Sequence, residues 1–118
     1  MNFVVTLTPK FISDLDFYKN KLKHKKIDSD IQEVIESLKD GSLVGDSIPE
    51  LKLPEDESAF KVRMVNSSMK VGKRKGYRII YYVIKNEKEI FLLTIYSKQE
   101  KGNISTKEIV GLIEQYCK

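Results

Sequence analysis

Residues 76–97 read GYRIIYYVIKNEKEIFLLTIYS. Two runs rich in Ile, Val, Tyr and Phe flank the short segment Asn86-Glu87-Lys88, a pattern typical of two antiparallel strands joined by a tight connection. The longest uninterrupted apolar run, residues 79–84, has six residues, far fewer than the roughly 20 that cross a bilayer. The stretch therefore predicts a β-hairpin within a sheet rather than a membrane span.

Upstream of the hairpin, the pattern predicts one strand and two antiparallel helices. A strand over residues 3–7 is followed by Thr8, which we expect to cap a helix that continues to about residue 23. Ser29 begins a capping-box pattern and predicts the start of a second helix. An irregular connection is expected over residues 42–59.

Two further elements complete the predicted domain. Residues 60–65 alternate in polarity, so Lys61 and Arg63 are predicted on one face of a strand and apolar side chains on the other. Ser105 and Glu108 have the spacing of a second capping box and predict a C-terminal helix. The order β-α-α-β-β-β-α predicts a single α+β domain, with one mainly antiparallel sheet, an N-terminal helical hairpin and a C-terminal helix.

The composition fits one domain that needs no metal or disulfide framework. The 118 residues include one cysteine, Cys117, and one histidine, His24, so a Cys/His zinc site within one chain is excluded. His24 lies among lysines after a helical pattern and is expected in an exposed turn. The N-terminal segment lacks the basic and apolar regions of a secretory signal. We therefore expect a cytoplasmic protein that uses no cofactor and binds no membrane.

Charge is distributed unevenly along the chain. Residues 1–59 hold eight basic and twelve acidic residues, whereas residues 60–118 hold thirteen basic and five acidic ones. All three arginines, Arg63, Arg74 and Arg78, lie within a segment of seven basic residues and no acid. A solvated loop is the simpler interpretation of such a run. Because the run adjoins predicted strands and the guanidinium fork matches phosphate geometry, the segment also predicts a surface for nucleic acid.

The candidate site residues fall into two groups. On or beside the predicted strands lie Lys61, Arg63, Arg78, Tyr96 and Lys98, and the connection between strands contributes Lys70, Lys73, Arg74 and Lys75. Each phosphate that such a surface neutralises on a single strand contributes about −0.7 to the log–log salt slope, so salt-dependent RNA or DNA binding is expected. Of the strand tyrosines, only Tyr96 is kept as a candidate for stacking on a base, because it lies at a strand end.

Two motifs carry a family resemblance. They are GKRKGYRIIYY at residues 72–82 and FLLTIYSK at residues 91–98, with Lys61-Val62-Arg63 upstream. Together they resemble the RelE superfamily of bacterial toxins, closest to its HigB-like branch. The predicted element order is similar to that family along nearly the whole chain.

The resemblance implies a toxin of a type II toxin–antitoxin system that cleaves mRNA in the ribosomal A site and is neutralised by a cognate antitoxin. It implies a metal-independent attack of a ribose 2′-hydroxyl on its own 3′-phosphate, which leaves a 2′,3′-cyclic phosphate and a 5′-hydroxyl. Residue by residue, it assigns a basic catalytic surface to Lys61, Arg63, Arg78 and Lys98, RNA contacts to Lys73 and Arg74, and the ring near the scissile nucleotide to Tyr96. Some relatives use a histidine or glutamate as general base, whereas here only Glu100 lies close to the motif.

Two alternatives remain open at this point. A ParE-like relative would share the fold but inhibit DNA gyrase rather than cut RNA, and a non-catalytic module would bind RNA without a cyclic phosphate product. Arg78 also has two interpretations. It either extends to solvent from the edge of the core or contacts the scissile phosphate. The second predicts that Arg78→Ala abolishes growth inhibition and leaves thermal stability nearly intact.

Overall fold

The computed structural model describes residues 2–118, and within them it contains five strands and three helices. In chain order they are β1 (Val4–Leu7), α1 (Pro9–Asp16), α2 (Ile27–Lys39), β2 (Asp46–Ser47), β3 (Glu57–Met64), β4 (Tyr77–Ile84), β5 (Glu89–Ser97) and α3 (Thr106–Cys117). A π-helical turn at Phe17–Lys21 extends α1, and 3₁₀ turns cover Pro49–Leu51 and Ser67–Met69. The expected α+β class is confirmed.

The sheet has the strand order β1-β5-β4-β3-β2. Strand β1 runs parallel to β5, and the other neighbours are antiparallel, so the expected mainly antiparallel sheet is confirmed. The predicted hairpin forms the pair β4–β5. Strand β2 corrects the prediction of a wholly irregular connection, because its two residues pair with Phe60 and Lys61 at the sheet edge. Two residues are too few to show a period in the sequence.

The apolar run at residues 79–84 lies in strand β4, which is buried on both faces of the sheet. Both faces of this strand therefore need apolar side chains. Ile79 and Tyr81 belong to the core cluster formed with α1 and α2, whereas Ile80 and Tyr82 belong to the cluster formed with α3. The sheet is thus the middle layer, with a helical hairpin face and an α3 face. Every helix in the described part of the chain is too short or too polar to cross a membrane.

Helix starts follow the predicted caps at two of three positions. The Thr8 hydroxyl accepts a hydrogen bond of 3.3 Å from a backbone N–H in the first turn of α1. Ser105 and Glu108 form the predicted reciprocal capping box at α3. Helix α2 begins earlier, at Ile27, so the capping box predicted at Ser29 is wrong. Ile27 is fully buried, and its packing outweighs the local polar signal.

His24 is the clearest correction to the sequence-based prediction of an exposed turn. Its side chain is 5% exposed, and its Nδ1 lies 2.7 Å from the Tyr77 hydroxyl. The imidazole also stacks on the Tyr18 ring, with centroids 5.6 Å apart. Burial lowers the pKa of His24, and the negative charge of Glu100 opposes that shift. A lone histidine among lysines has no sequence period that reveals such a partner.

Because the folded state disfavours the protonated His24, stability should fall as the pH is lowered. The stabilising contribution is complete above the ordinary histidine pKa of about 6.5 and is lost as the pH falls towards the lower pKa of the folded state. We expect the Tm to be a few degrees lower at pH 5.5 than at pH 7.5. Since the chain has one histidine, His24→Gln should show a much smaller difference. An equal pH dependence in wild type and variant would assign the effect to other groups.

Candidate functional site

Three side chains lie in one row across the α3 face of the sheet. Arg63 on β3 pairs with Arg78 on β4, and Arg78 pairs with Tyr96 on β5. Cross-strand partners share a face, and like charges directly opposite each other repel. Burial, and then the charge of Arg63, lower the pKa of Arg78. The sheet therefore places the guanidinium groups of Arg63 and Arg78 on adjacent strands, where they repel each other. An anion bound between them would offset this repulsion.

A cavity of about 540 Å³ lies where β4 begins and β5 ends, beside the β3–β4 connection. It is lined by Arg63, Arg74, Lys75, Arg78, Lys98 and Gln99. Five of the six side chains are basic, and no carboxylate or histidine is among them. Such a surface can bind phosphate oxygens through charge-assisted hydrogen bonds. We call it the basic cavity.

Arg78 contributes to the basic cavity as a buried anchor. It is 6% exposed, and its guanidinium donates hydrogen bonds to the backbone carbonyls of Lys73 (2.9 Å) and Arg74 (2.8 Å). A third, longer bond reaches the carbonyl of Tyr77, at 3.3 Å. The side chain therefore does not extend to solvent, as the first of its two interpretations expected. Its guanidinium holds the β3–β4 connection while it lines the cavity wall.

The β3–β4 connection is fixed from its other side by α2. The Asp30 carboxylate accepts hydrogen bonds from the Ser67 N–H (2.9 Å) and the Ser67 hydroxyl (2.6 Å). Gly76 closes the connection so tightly that a Cβ there would lie 2.0 Å from the Met64 carbonyl oxygen. The basic side chains of this connection are exposed, but its backbone is fixed by hydrogen bonds from both sides, and we call residues 65–76 the held loop.

The held loop brings two of the four predicted RNA-binding residues to the basic cavity. Arg74 and Lys75 line it. Lys73 instead lines a groove beside α2, and Lys70 is exposed at a left-handed position after the 3₁₀ turn. Sequence spacing alone did not separate these pairs, because the direction of each side chain depends on the loop conformation.

Lys98 enters the basic cavity from the turn after β5. Its backbone N–H donates a 2.9 Å hydrogen bond to the Gly76 carbonyl, and its Nζ donates to the Gly102 carbonyl. Gln99, the next residue, also lines the cavity and was not predicted. Its position directly after Lys98 at a strand end was the only sequence signal for it.

Lys61 and Tyr96 lie beside the basic cavity rather than in its wall. The Lys61 ammonium donates to the Asn103 side chain at 3.2 Å and lines a neighbouring cavity of about 280 Å³. Arg63 borders both cavities. Tyr96 is 4% exposed and belongs to the core cluster with α3. Burial raises the pKa of its hydroxyl.

The remaining strand tyrosines are core residues with partnered hydroxyls. The Tyr81 hydroxyl donates to the Val44 carbonyl, and the Tyr82 hydroxyl donates to the Glu57 carboxylate. Across residues 2–118, the His, Cys, Asp and Glu side chains form no cluster of three or more that could hold a metal ion.

Comparison with known families places the chain among the toxins of type II toxin–antitoxin systems. The model of the family described as "ParE toxin of type II toxin-antitoxin system, parDE" matches residues 5–102, a span that includes every residue lining the basic cavity. Toxins of type II systems pair with a cognate antitoxin, so an antitoxin is the expected protein partner. The chain belongs to the ParE toxin family of type II toxin–antitoxin systems, within the RelE/ParE superfamily.

Proposed function

We propose that this toxin is an mRNA endoribonuclease of the HigB-like type and that the basic cavity is its active site. The observation that carries the proposal is the convergence of five basic side chains, with no acidic one, on a single cavity of about 540 Å³. A phosphodiester placed there would offset the repulsion between Arg63 and Arg78. The planar guanidinium groups of Arg63 and Arg74 also match the geometry of phosphate oxygens, which supports RNA as the substrate.

The proposed reaction is a transesterification within the RNA, in which the phosphorus moves from the 5′-oxygen of the next nucleotide to the neighbouring 2′-oxygen. The 2′-oxygen forms a bond to the adjacent phosphorus, the bond from phosphorus to the 5′-oxygen breaks, and one proton passes from the 2′-hydroxyl to solvent or base while another reaches the 5′-oxygen. The products are a 2′,3′-cyclic phosphate and a 5′-hydroxyl. Arg63 and Lys98 are the best placed to stabilise charge on the transition state. Lys98, or Lys61 beside the cavity, is the candidate for proton transfer.

The lining of the basic cavity also supports dependence on the ribosome. Because no histidine or carboxylate lines it, the cavity is better equipped to bind phosphate than to deprotonate the 2′-hydroxyl. Alignment of the 2′-oxygen with the leaving 5′-oxygen then has to come from a template that holds the mRNA. We propose that the ribosome supplies this alignment and that mRNA and ribosome are partners besides the antitoxin.

The proposal predicts cuts in translated mRNA with a defined end chemistry. Purified toxin added to a translation reaction should produce codon-phased cuts by primer extension, and the upstream fragments should end in 2′,3′-cyclic phosphate. Naked mRNA should be cut far more slowly. Intact mRNA in the translated sample, at toxin concentrations that stop protein synthesis in the same reaction, would contradict the proposal.

The family description favours a second candidate function, inhibition of DNA gyrase, because the matching model is that of ParE toxins. The two functions separate in parallel assays. A gyrase inhibitor should leave mRNA intact and accumulate cleaved DNA in a reaction with purified gyrase. Strong salt-dependent RNA binding without cyclic phosphate would instead indicate a non-catalytic RNA-binding module.

A further inference from the structure

A buried polar cluster lies on the hairpin face, behind the turn that carries Lys98. Its members are Tyr18, His24 and Tyr77, and the proposed reaction uses none of them. The Tyr18 hydroxyl accepts a 2.8 Å hydrogen bond from the Ser97 N–H. Tyr18 is 5% exposed, so this bond is shielded from water. It joins the helical hairpin to the last residue of β5.

Ser97 directly precedes the turn at residues 98–100 that leads into the basic cavity, and it accepts hydrogen bonds from that turn. It is fully buried, its carbonyl accepts from the backbone N–H groups of Glu100 (3.0 Å) and Lys101 (2.9 Å), and its hydroxyl accepts from that of Gln99 (3.3 Å). Any displacement of Ser97 would therefore move the whole turn. Lys98 and Gln99, which both line the cavity, would move with it.

Tyr18 is itself held tightly. Its ring stacks on His24 at 5.6 Å and meets Tyr77 edge-on at 5.8 Å, while His24 Nδ1 and the Tyr77 hydroxyl share a 2.7 Å hydrogen bond. Tyr18 also lies in the π-helical turn Phe17–Lys21, a backbone conformation that is rare and often found at functional sites. The irregular turn and the two rings together fix where the Tyr18 hydroxyl lies.

We propose that Tyr18 is a positioning residue, which sets the place of Lys98 in the basic cavity through the Ser97 N–H. The inference rests on the proposed RNA function, because Lys98 matters only if the cavity binds a phosphate. It extends the site to the opposite face of the sheet. It also gives His24 and Tyr77 a role as supports of the Tyr18 ring.

A double-mutant cycle tests this assignment. The readout is the Kd for a single-stranded RNA oligomer. Each ribose carries a 2′-O-methyl group, so the oligomer cannot be cleaved. We expect Tyr18→Phe to weaken binding about fivefold and Lys98→Ala about tenfold, and the double variant to bind within about twofold of Lys98→Ala alone. In an Arg63→Ala background, Tyr18→Phe should still raise the Kd about fivefold, because the position of Arg63 on β3 does not depend on the turn after β5.

Two controls separate positioning from general stability. Tyr82→Phe removes another buried hydroxyl, near the far end of β4, and should leave RNA binding unchanged. Hydrogen exchange at the Ser97 amide should become faster in Tyr18→Phe and not in Tyr82→Phe. Three results would each overturn the inference. The first is that Tyr18→Phe weakens RNA binding equally in the wild-type and Lys98→Ala backgrounds. The second is that Tyr82→Phe weakens it as much as Tyr18→Phe does, and the third is that the exchange rate of the Ser97 amide stays unchanged in Tyr18→Phe.

The failure of the underlying function would look different. If wild-type toxin does not bind RNA and inhibits gyrase instead, the proposed function fails, and Tyr18 loses its assigned role with it. If wild-type toxin binds and cleaves RNA but the cycle is additive, only the role of Tyr18 is lost.

Discussion

Arg63→Ala should lower mRNA cleavage by about 100-fold or more and abolish growth inhibition, while the protein stays folded. Loss of one electrostatic donor to a transition state typically costs about 3 kcal/mol in the barrier. Arg63 is exposed on β3, and its removal also relieves repulsion with Arg78. We therefore expect a Tm equal to or slightly above that of the wild type. Primer extension in a translation reaction measures the first effect and thermal unfolding the second.

Two further variants give this prediction its controls. Arg63→Lys keeps the charge and loses the planar fork, so it should recover only part of the activity. Lys85→Ala removes an exposed cation at the other end of β4 and should cleave like the wild type. If Arg63→Ala and Lys85→Ala inhibit growth equally well, Arg63 has no place in the site.

The architecture was largely predictable because its main signals are strong and local. The β4–β5 hairpin has long β-branched and aromatic runs, and the α3 capping box has both of its partners within four residues. The errors arose where distant contacts decide the structure. Helix α2 begins at the buried Ile27 and not at the predicted Ser29. His24 is buried beside the Tyr77 hydroxyl and not exposed in a turn.

The site was predictable only to the level of the strands that carry it. Alternation placed Arg63 on the correct face, and the register sets it opposite Arg78. The contribution of Gln99 and the separation of Arg74 from Lys73 depend on turn conformations that hydrogen bonds to distant groups determine. The role of Tyr18 depends on contact between residues 79 positions apart in the chain, which no spacing rule reveals.

Arg78→Ala should destabilise the fold as well as abolish activity, in contrast to the expectation from the sequence alone. The guanidinium donates to the carbonyls of Lys73, Arg74 and Tyr77, and hydrogen bonds from charged groups contribute about 1.5–3 kcal/mol each. Because relief of the repulsion with Arg63 offsets part of the loss, we expect a decrease of about 3 kcal/mol in the free energy of unfolding. For a domain of this size, that corresponds to a Tm lower by roughly 10 °C.

Thermal unfolding of Arg78→Ala, Arg78→Lys and Arg63→Ala separates the two roles of the paired arginines. The guanidinium reaches the two carbonyls from two separate nitrogens, whereas a lysine at position 78 has a single nitrogen, so Arg78→Lys should recover little of the lost stability. Hydrogen exchange at the Lys75 and Gly76 amides, which bond within the held loop, should accelerate in both Arg78 variants and not in Arg63→Ala. A wild-type Tm in Arg78→Ala, combined with lost cleavage, would show that the guanidinium serves the phosphate rather than the loop.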